Sequence, residues 1–232
     1  MHFPNPMASA DILAPAVIPV FPLTGSLLLP GTLLPLNVFE PRYRNMVADS
    51  LDGERHIGMI QPFVPQPDNW PALEPPPENP ELYTVGCVGR LDRCEPQPDG
   101  RYEIVLRGIC RFRIRRELPL QRGYRTVEAD YTAFTADVSE PDALLDPSRL
   151  LAAVRAFGAA HGFEFDLELL SSLPGISLLN GLAVALPFRP DEKQALLEAP
   201  GPAEREGLLL ALMGMGFEPA AADSYYAPPT VH

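Results

Sequence analysis

The sequence predicts an α+β chain in which a distorted, barrel-like sheet with one helix comes first and an α-helical part follows. Two observations lead to this prediction. Up to about residue 138, the apolar residues form short runs separated by proline- and glycine-containing pairs, as in strands and hairpins. Beyond residue 140, Ala and Leu dominate, and the apolar residues recur at the three- and four-residue spacing of a helix.

Several strands are predicted in the first half, interrupted by one helix. Val17 to Phe21 is a short β-type run, and the turn pair Pro30-Gly31 divides the two leucine-rich runs that follow it. Glu40-Pro41 opens the helix, because proline suits the first helical position, and Asp52-Gly53 ends it. The later strands are predicted at 56–61, 82–92, 102–116 and 124–134, with Asp99-Gly100 as a hairpin turn.

In the second half, helices are predicted at 147–161, 167–173, 176–186, 191–197 and 203–213. The predicted organisation is a flexible lead-in at 1–15, a β-rich part at 16–138, a helical part at 144–213 and a tail at 214–232. Within the β-rich part, Pro62 to Pro80 contains eight prolines in nineteen residues, which predicts a long surface loop with polyproline character.

Charge and composition narrow the class of protein. The formal net charge of −12 disfavours nucleic acid, because affinity for phosphate comes mainly from clustered basic residues, and it repels anionic membrane surfaces. No apolar run approaches the ~20 residues that span a bilayer, and the N-terminus shows no secretory signal. Three cysteines are an odd number that fits reduced thiols, so we expect a cytoplasmic protein.

One local stretch departs from the acidic average. Apolar Cys110, Phe112 and Ile114 alternate within it with basic side chains, which predicts a strand with one apolar face and one solvated face. An anion-binding site is the alternative to a solvated strand face. The basic residues concerned are Arg107, Arg111, Arg113, Arg115 and Arg116.

A single lysine excludes two kinds of chemistry. Seventeen of the eighteen Lys and Arg residues are arginine, and Lys193 is the exception. No glycine-rich loop precedes Lys193, so the sequence has no Walker A motif in which a lysine could reach nucleotide phosphates. A Ser-Lys dyad would also have to use Lys193, which lies in the middle of a predicted helix. We interpret Lys193 as a solvated helix lysine.

The remaining reactive side chains suit structural roles. His56 begins an apolar strand and His161 lies at the C-terminal end of a helix, where a cation suits the helix dipole. Neither stands near a nucleophile-elbow motif. Cys87, Cys94 and Cys110 lack the Cys-x-x-Cys spacing of a zinc site, and we interpret them as small apolar core residues. The sequence therefore predicts no catalytic residue, no cofactor and no metal.

The order of motifs along the chain resembles the LON domain, the N-terminal substrate-recognition part of Lon proteases. The resemblance begins with IPVFPL at Ile18 to Leu23, LPGT at Leu29 to Thr32, and PLNVFEPRY at Pro35 to Tyr43. It continues with the glycine-containing strand Tyr83 to Leu91, the Asp99-Gly100 hairpin and the segment Leu182 to Leu197. Together these motifs cover roughly Val17 to Met213.

The resemblance implies a distorted, PUA-like β-barrel followed by helices, without the ATPase and peptidase domains of a full-length Lon. Within its motifs, we interpret Glu40 and Arg42 as a local pair or a helix cap, and Tyr43 as a core residue. The implied function is a non-catalytic module that binds exposed apolar or unfolded polypeptide, or a protein partner.

The candidate contact residues are Leu27, Leu28, Leu29 and Pro30, because three consecutive leucines beside a turn are either buried or a contact patch. An apolar groove between the β-rich part and the helices would mark a binding site, and an exposed sheet edge could add a client strand. Two alternatives remain: an adaptor or regulator that docks one specific protease or other protein, and an unrecognised hydrolase with a site around His56 or His161.

Overall fold

A computed structural model describes residues 14–63, 79–139 and 146–215. Its strands are β1 Val17–Pro22, β2 Leu33–Val38, β3 His56–Ile60, β4 Val85–Pro96, β5 Tyr102–Gln121 and β6 Tyr124–Asp130. One helix, α1 Pro41–Asp52, lies between β2 and β3, with Pro41 in its first turn as predicted. Most of the predicted lead-in and of the proline-rich loop lies outside the described residues, as does the tail from residue 216.

The second half is helical, which confirms the α+β class. After β6 come a short 3-10 turn, Thr132–Phe134, and α2, Ala136–Ser139. The other helices are α3 Pro147–His161, α4 Leu167–Ser171, α5 Gly175–Ala185, α6 Pro190–Glu198 and α7 Pro202–Gly214. Several predicted strand ends were wrong. The strand predicted at 82–92 is β4, Val85–Pro96, which stays paired with β5 up to the hairpin turn. β6 stops at Asp130 because the chain turns into the 3-10 segment, and β5 runs on to Gln121, where a tight turn leads into β6.

The sheet closes on itself through the longest strand. Its order is β2-β5-β4-β3-β1-β6, and an additional β5–β6 pairing completes a ring of five strands with β2 attached outside it. β1 and β3 are parallel, whereas the other pairs are antiparallel. The N-terminal half of β5 pairs with β2 and its C-terminal half with β6, with register shifts along β4 and β5. The predicted distorted barrel is confirmed, and these shifts are the source of its irregularity.

Two facing glycines make room for the leucine-rich segment that precedes β2. Gly89 of β4 lies opposite Gly108 of β5. A Cβ added at Gly89 would lie 2.8 Å from the Leu28 Cδ2, and one added at Gly108 would lie 2.8 Å from the carbonyl carbon of Leu29. The backbone also joins the two segments, because Gly31 N–H donates to the Gly108 carbonyl at 3.0 Å. The sheet can therefore bury Leu28 and Leu29 only where it has no side chains of its own.

The start of α1 holds the helix against the barrel. The Arg42 guanidinium pairs with Glu40 at 2.8 Å and lies over the Tyr43 ring, 4.6 Å from its centroid. The Tyr43 ring in turn packs against Phe21 of β1 at a centroid distance of 4.3 Å, and both rings are buried. The interpretation of Glu40 and Arg42 as a local pair, and of Tyr43 as core, is confirmed.

Further along α1, polar side chains bind the turn between β5 and β6. The Asn45 side chain donates to the Arg122 carbonyl at 3.0 Å, and Asp49 accepts a hydrogen bond from the Tyr124 hydroxyl at 2.8 Å and pairs with the Arg122 guanidinium. Arg122 has a positive φ of 46°, a conformation that costs a non-glycine residue free energy unless its surroundings hold it. These polar contacts supply that support.

Polar side chains join the barrel to the helices. The Gln61 side chain, after β3, donates to the Pro190 carbonyl at 2.9 Å, and Gln194 of α6 donates to the Val85 carbonyl of β4 at 3.1 Å. On α5, Asn180 donates to the Pro30 carbonyl at 3.1 Å. Because Gln61, Gln194 and Asn180 are buried, each bond is costly to lose, and together they fix how the helices sit on the sheet.

Lys193 is buried, so its interpretation as a solvated lysine was wrong. Only 9% of the residue is exposed, and its Nζ donates to the Val184 carbonyl at 3.3 Å, near the C-terminal end of α5. The sequence around it is polar, but the side chain lies along the neighbouring helix, where its long stem packs and its charge meets the carbonyl end of the dipole. Burial lowers the pKa of Lys193 to about 8.

We expect Lys193→Met to raise the free energy of unfolding by about 1–2 kcal/mol at pH 7, because it removes a charge that is poorly solvated. The native pKa lies below the ordinary value of 10.5, so the unfolded chain binds more protons between pH 8 and 10.5, and the wild type gains stability as the pH rises through that window. Urea denaturation of both proteins at pH 7 and 10 checks this. A difference between their free energies of unfolding that does not narrow at pH 10 would contradict this expectation.

Candidate functional site

An apolar groove opens on the surface of the helical part. It has a volume of about 470 Å³ and lies between the segment that follows α3, the helix α4 and the helix α5. Its described lining residues are Phe163, Phe165, Leu170, Leu173, Leu178, Gly181, Leu182, Ala185, Leu186 and Pro187. Among these residues Phe163 is 41% exposed, and Phe165, Leu170 and Leu173 are half-buried. Large apolar side chains that water reaches at a concave surface are typical of a binding site.

Two glycines near the end of α3 let the following segment fold back and form one wall of the groove. Gly162 ends the helix with a left-handed φ of 73°, and the Phe163 N–H returns to the Gly158 carbonyl at 3.1 Å. Gly158 has no side chain, and a Cβ there would lie 2.6 Å from the Phe163 carbonyl oxygen and 3.0 Å from the Phe165 ring. The Phe163 ring also stacks on the buried Phe157 at 5.8 Å. The chain therefore folds back onto α3 and presents two phenylalanines to the groove.

The floor of the groove is α5, and Gly181 sets its depth. A Cβ added at Gly181 would meet no described atom within 4 Å. A glycine inside a helix costs roughly 0.5–1 kcal/mol relative to alanine, so this position forgoes stability without any crowding that requires it. The neighbouring Leu178 and Leu182 continue the apolar surface along the same face. Because Gly181 has no side chain, the space above this part of α5 stays open.

The lining determines what kind of ligand suits the groove. All of its described lining residues are apolar. Small-molecule and cofactor sites usually add a few well-placed polar groups that orient the ligand. A groove lined in this way can hold apolar side chains of many shapes, but it has little means of recognising polar functional groups. It is therefore suited to apolar groups.

The predicted contact segment lies behind the groove rather than in it. Leu27, Leu28 and Leu29 are buried in the core, and Pro30 is half-buried. The Pro30 carbonyl accepts the hydrogen bond from Asn180, so the segment supports α5 from the side of the barrel. In this conformation a polypeptide can reach only Pro30 among the four. Contact with a polypeptide stays a prediction for this segment, and burial favours the core alternative.

A smaller cavity of about 300 Å³ lies beside His56 and is also lined by Asp49, Ser50 and Tyr124. Its polar groups serve the fold. The Ser50 hydroxyl donates to the Met46 carbonyl of its own helix at 2.7 Å, and Asp49 holds the turn between β5 and β6. Both imidazole nitrogens of His56 are shielded from solvent, so they do not open onto the cavity. This arrangement does not support the hydrolase alternative at His56.

The other predicted structural residues lie where the sequence suggested. His161 is in the last turn of α3, against the Phe157 ring at a centroid distance of 4.6 Å. Cys87 and Cys110 are buried and Cys94 is half-buried, and all three are free thiols. Burial raises the pKa of Cys110 to about 12, which makes its thiol unreactive at neutral pH. Among the described residues, no three acidic, histidine or cysteine side chains converge to hold a metal ion.

Arg111 departs from the solvated strand face predicted for the basic stretch. Arg107, Arg113, Arg115 and Arg116 are exposed, but only 2% of Arg111 is. Its face of β5 is covered by α2 and by the end of α6. Asp137 of α2 binds the guanidinium at 2.8 Å, and the carbonyl oxygens of Leu197 and Ala199 accept from it at 3.0 and 2.6 Å. Arg111 therefore joins the barrel to the helices and is not available to an anion.

Similarity to known proteins assigns the chain to a family. The family model for the "ATP-dependent protease La (LON) substrate-binding domain" matches residues 17–214 of the sequence. The chain belongs to this LON family. Within the part of this LON domain that the structure describes, no helix is both long enough and apolar enough to cross a membrane.

Relatives with known names are Lon proteases, and the LON domain matches only a part of each. It is 28% identical over 204 residues to the Lon protease of Geobacter metallireducens, which is 84% of this chain and 23% of that protein. It is 34% identical over 105 residues to Lon protease 2 of Sorangium cellulosum, which is 45% of this chain and 12% of that protein. The match therefore spans less than a quarter of the length of either relative.

Solved structures agree with the fold. The Lon N-terminal domain protein from Xanthomonas campestris is 29% identical, with a TM-score of 0.56 over 84% of this chain and 97% of that chain. The N-terminal domain of the Mycobacterium avium complex Lon protease, at 18% identity and a TM-score of 0.57, covers 85% of this chain and shares the fold. The resemblance seen in the sequence motifs is confirmed.

Proposed function

We propose that this LON domain is a non-catalytic binding module that recognises exposed apolar or unfolded polypeptide through the groove of its helical part. The observation that carries the proposal is the groove itself: an open, apolar surface in which the Phe163 side chain is exposed. Unfolded chains expose apolar side chains that folded proteins bury, so a site of this kind distinguishes the two states. The family to which the chain belongs, a substrate-binding domain, supports the same reading.

The groove is better suited to a client than the exposed edge of the sheet. Pro35 lies within β2, which pairs only with β5 among the described strands, and proline has no N–H to donate to an added strand. Binding by strand addition depends on main-chain hydrogen bonds, whereas binding in the groove depends on apolar side chains. We therefore assign client recognition to the groove. The free thiols suit a reducing compartment, so we also propose a cytoplasmic location.

Filling the groove from its floor tests the proposal. Gly181→Phe would add a ring on a Cβ that has no described atom within 4 Å, at a position that lines the groove. We expect it to weaken binding of a labelled, permanently unfolded polypeptide, such as a reduced and carboxymethylated small protein, at least tenfold in a fluorescence-anisotropy titration. The thermal midpoint should not fall, because phenylalanine has a higher helix propensity than glycine.

Gly207→Phe is the matched control. Gly207 lies on the exposed face of α7, and a Cβ there also meets no described atom within 4 Å. It should bind the unfolded polypeptide like the wild type. Equal affinities of Gly181→Phe and wild type, or no binding by the wild type at high micromolar concentration, would refute the proposal. A single stoichiometric partner in a pull-down from native cells would instead favour the adaptor alternative.

A further inference from the structure

Along the stretch of chain that lines the groove, every charged residue is acidic. Between Gly162 and Phe188, a stretch that supplies all of the described groove lining, the chain carries Glu164, Asp166 and Glu168 and no lysine, arginine or histidine. All three acidic residues are exposed. The segments that line the apolar groove thus carry three exposed carboxylates and, along this stretch, no cation.

The carboxylates are close enough to the groove to act on an occupant. Glu164 stands between Phe163 and Phe165, two residues of the groove wall, and Glu168 precedes Leu170 by two positions. Consecutive Cα atoms are about 3.8 Å apart, so the Cα atoms of both glutamates lie within ~8–10 Å of a residue that lines the groove, the range over which exposed charges interact at physiological salt. A peptide that fills the groove therefore lies within the electrostatic field of this acidic segment.

The nearest arginine along the chain does not cancel this charge. Arg189 follows the lining residue Pro187 by two positions. Its guanidinium pairs with Asp191 at 3.1 Å and with Glu192 at 3.4 Å, so two carboxylates already offset it. Asp166, for its part, accepts a hydrogen bond from the Leu169 N–H and caps the start of α4.

On the basis of the proposed function, we infer that the groove selects apolar segments that carry lysine or arginine at their flanks and disfavours segments with acidic flanks. Apolar side chains of the client occupy the groove, and its basic side chains lie against Glu164, Asp166 and Glu168. We call these three acidic residues the rim of the groove. Basic side chains of a client are attracted to the rim, which favours the encounter and slows dissociation, whereas acidic side chains at the same place exclude a segment that would otherwise fit.

Three peptides with one apolar core measure the selectivity. The core is flanked on both sides by two lysines, two glutamines or two glutamates, and each peptide carries the same label. We expect the full chain to bind the lysine peptide about tenfold more tightly than the glutamate peptide at low ionic strength, with the glutamine peptide between them. In about 0.5 M salt, where the Debye length falls below ~5 Å, the ratio should fall towards one.

A pair of charge variants assigns the selectivity to the rim. Glu164→Gln with Glu168→Gln removes two rim carboxylates and leaves the Asp166 cap of α4 in place. The matched control, Glu54→Gln with Glu103→Gln, makes the same change in net charge at two exposed positions of the barrel part. We expect the rim variant to reduce the lysine-to-glutamate ratio to about threefold or less and the control to keep it at about tenfold.

Each outcome separates the inference from the proposed function. Equal binding of the three peptides overturns the charge selectivity and leaves the groove as an apolar site. A preference that survives in the rim variant overturns its assignment to Glu164 and Glu168. Failure of all three peptides to bind overturns the proposed function as well. If sedimentation shows a dimer that Gly181→Phe dissociates, the occupant is a second copy of the chain and the inference is wrong.

Discussion

Replacing Asp137 by asparagine should destabilise the protein by about 3–5 kcal/mol, the cost of breaking a buried ion pair by removing one partner. Asp137 is the carboxylate that faces the buried guanidinium of Arg111, and one of its oxygens also accepts the Arg111 backbone N–H at 2.9 Å. Arg205 lies near the same cluster: burial, with a smaller effect from the charge of Arg111, lowers its pKa to about 10. Loss of Asp137 would leave two buried cations without their nearby anion.

Denaturation in urea measures this loss as a shift in midpoint at constant slope. Asp92→Asn is the control, because Asp92 forms the same kind of pair with Arg107 at the surface, at 2.8 Å, where solvent screens it. Its midpoint should stay close to that of the wild type. A double variant, Asp137→Leu with Arg111→Met, should recover much of the loss, because it removes both buried charges. An Asp137→Asn midpoint equal to that of Asp92→Asn would contradict the role of this pair.

Gly108→Ala should cost about 3 kcal/mol of stability, near the upper end of the range for overpacking. The added methyl group would lie 2.8 Å from the Leu29 carbonyl carbon and 3.3 Å from the Leu28 Cγ. The first contact is with backbone, which cannot rotate away. That backbone is also held in place, because Gly108 N–H donates to the Thr32 carbonyl at 2.9 Å. The segment before β2 would have to lift off the sheet.

The same substitution at Gly207 gives the opposite sign. A Cβ there has open space among the described residues, and alanine is favoured over glycine inside a helix by roughly 0.5–1 kcal/mol. Differential scanning calorimetry of both variants should therefore show a lowered melting temperature for Gly108→Ala and a slightly raised one for Gly207→Ala. Melting temperatures that fall equally would show that the crowding at Gly108 is not the cause.

The order of strands and helices could be predicted because its signals are local. Proline at the first helical position, Asp-Gly in a hairpin and the change from short runs to helical spacing each act within a few residues. The start of α1 at Pro41 and the extent of α3 follow from such signals. The exact division into parts at 16–138 and 144–213 stays a prediction.

Burial that depends on distant segments could not be predicted in this way. Arg111 alternates with apolar residues like its neighbours, and only the packing of α2 and α6 on that face of β5 distinguishes it. Lys193 is surrounded by polar sequence but lies against α5. The leucines at 27–29 fit a contact patch or a core equally well until the facing glycines of β4 and β5 are known.

The groove was missed for a related reason. Its walls come from three segments whose apolar residues each have the spacing of ordinary core positions, and the sequence gives no sign of which of them remain uncovered. One local signal was available: Gly181 stands alone inside a helix, and an isolated glycine there calls for a packing or functional reason. The acidic residues at 164, 166 and 168 were visible too, but their meaning depends on the groove beside them.

Leucine-methyl NMR during a titration with unfolded polypeptide tests the central claim most directly, because it locates the contact. The account predicts that the methyl signals of the groove leucines, Leu170, Leu173 and Leu182, shift or broaden as polypeptide is added, while those of Leu27, Leu28 and Leu29 keep their positions. Changes confined to the leucines at 27–29, with the groove leucines unaffected, would contradict it.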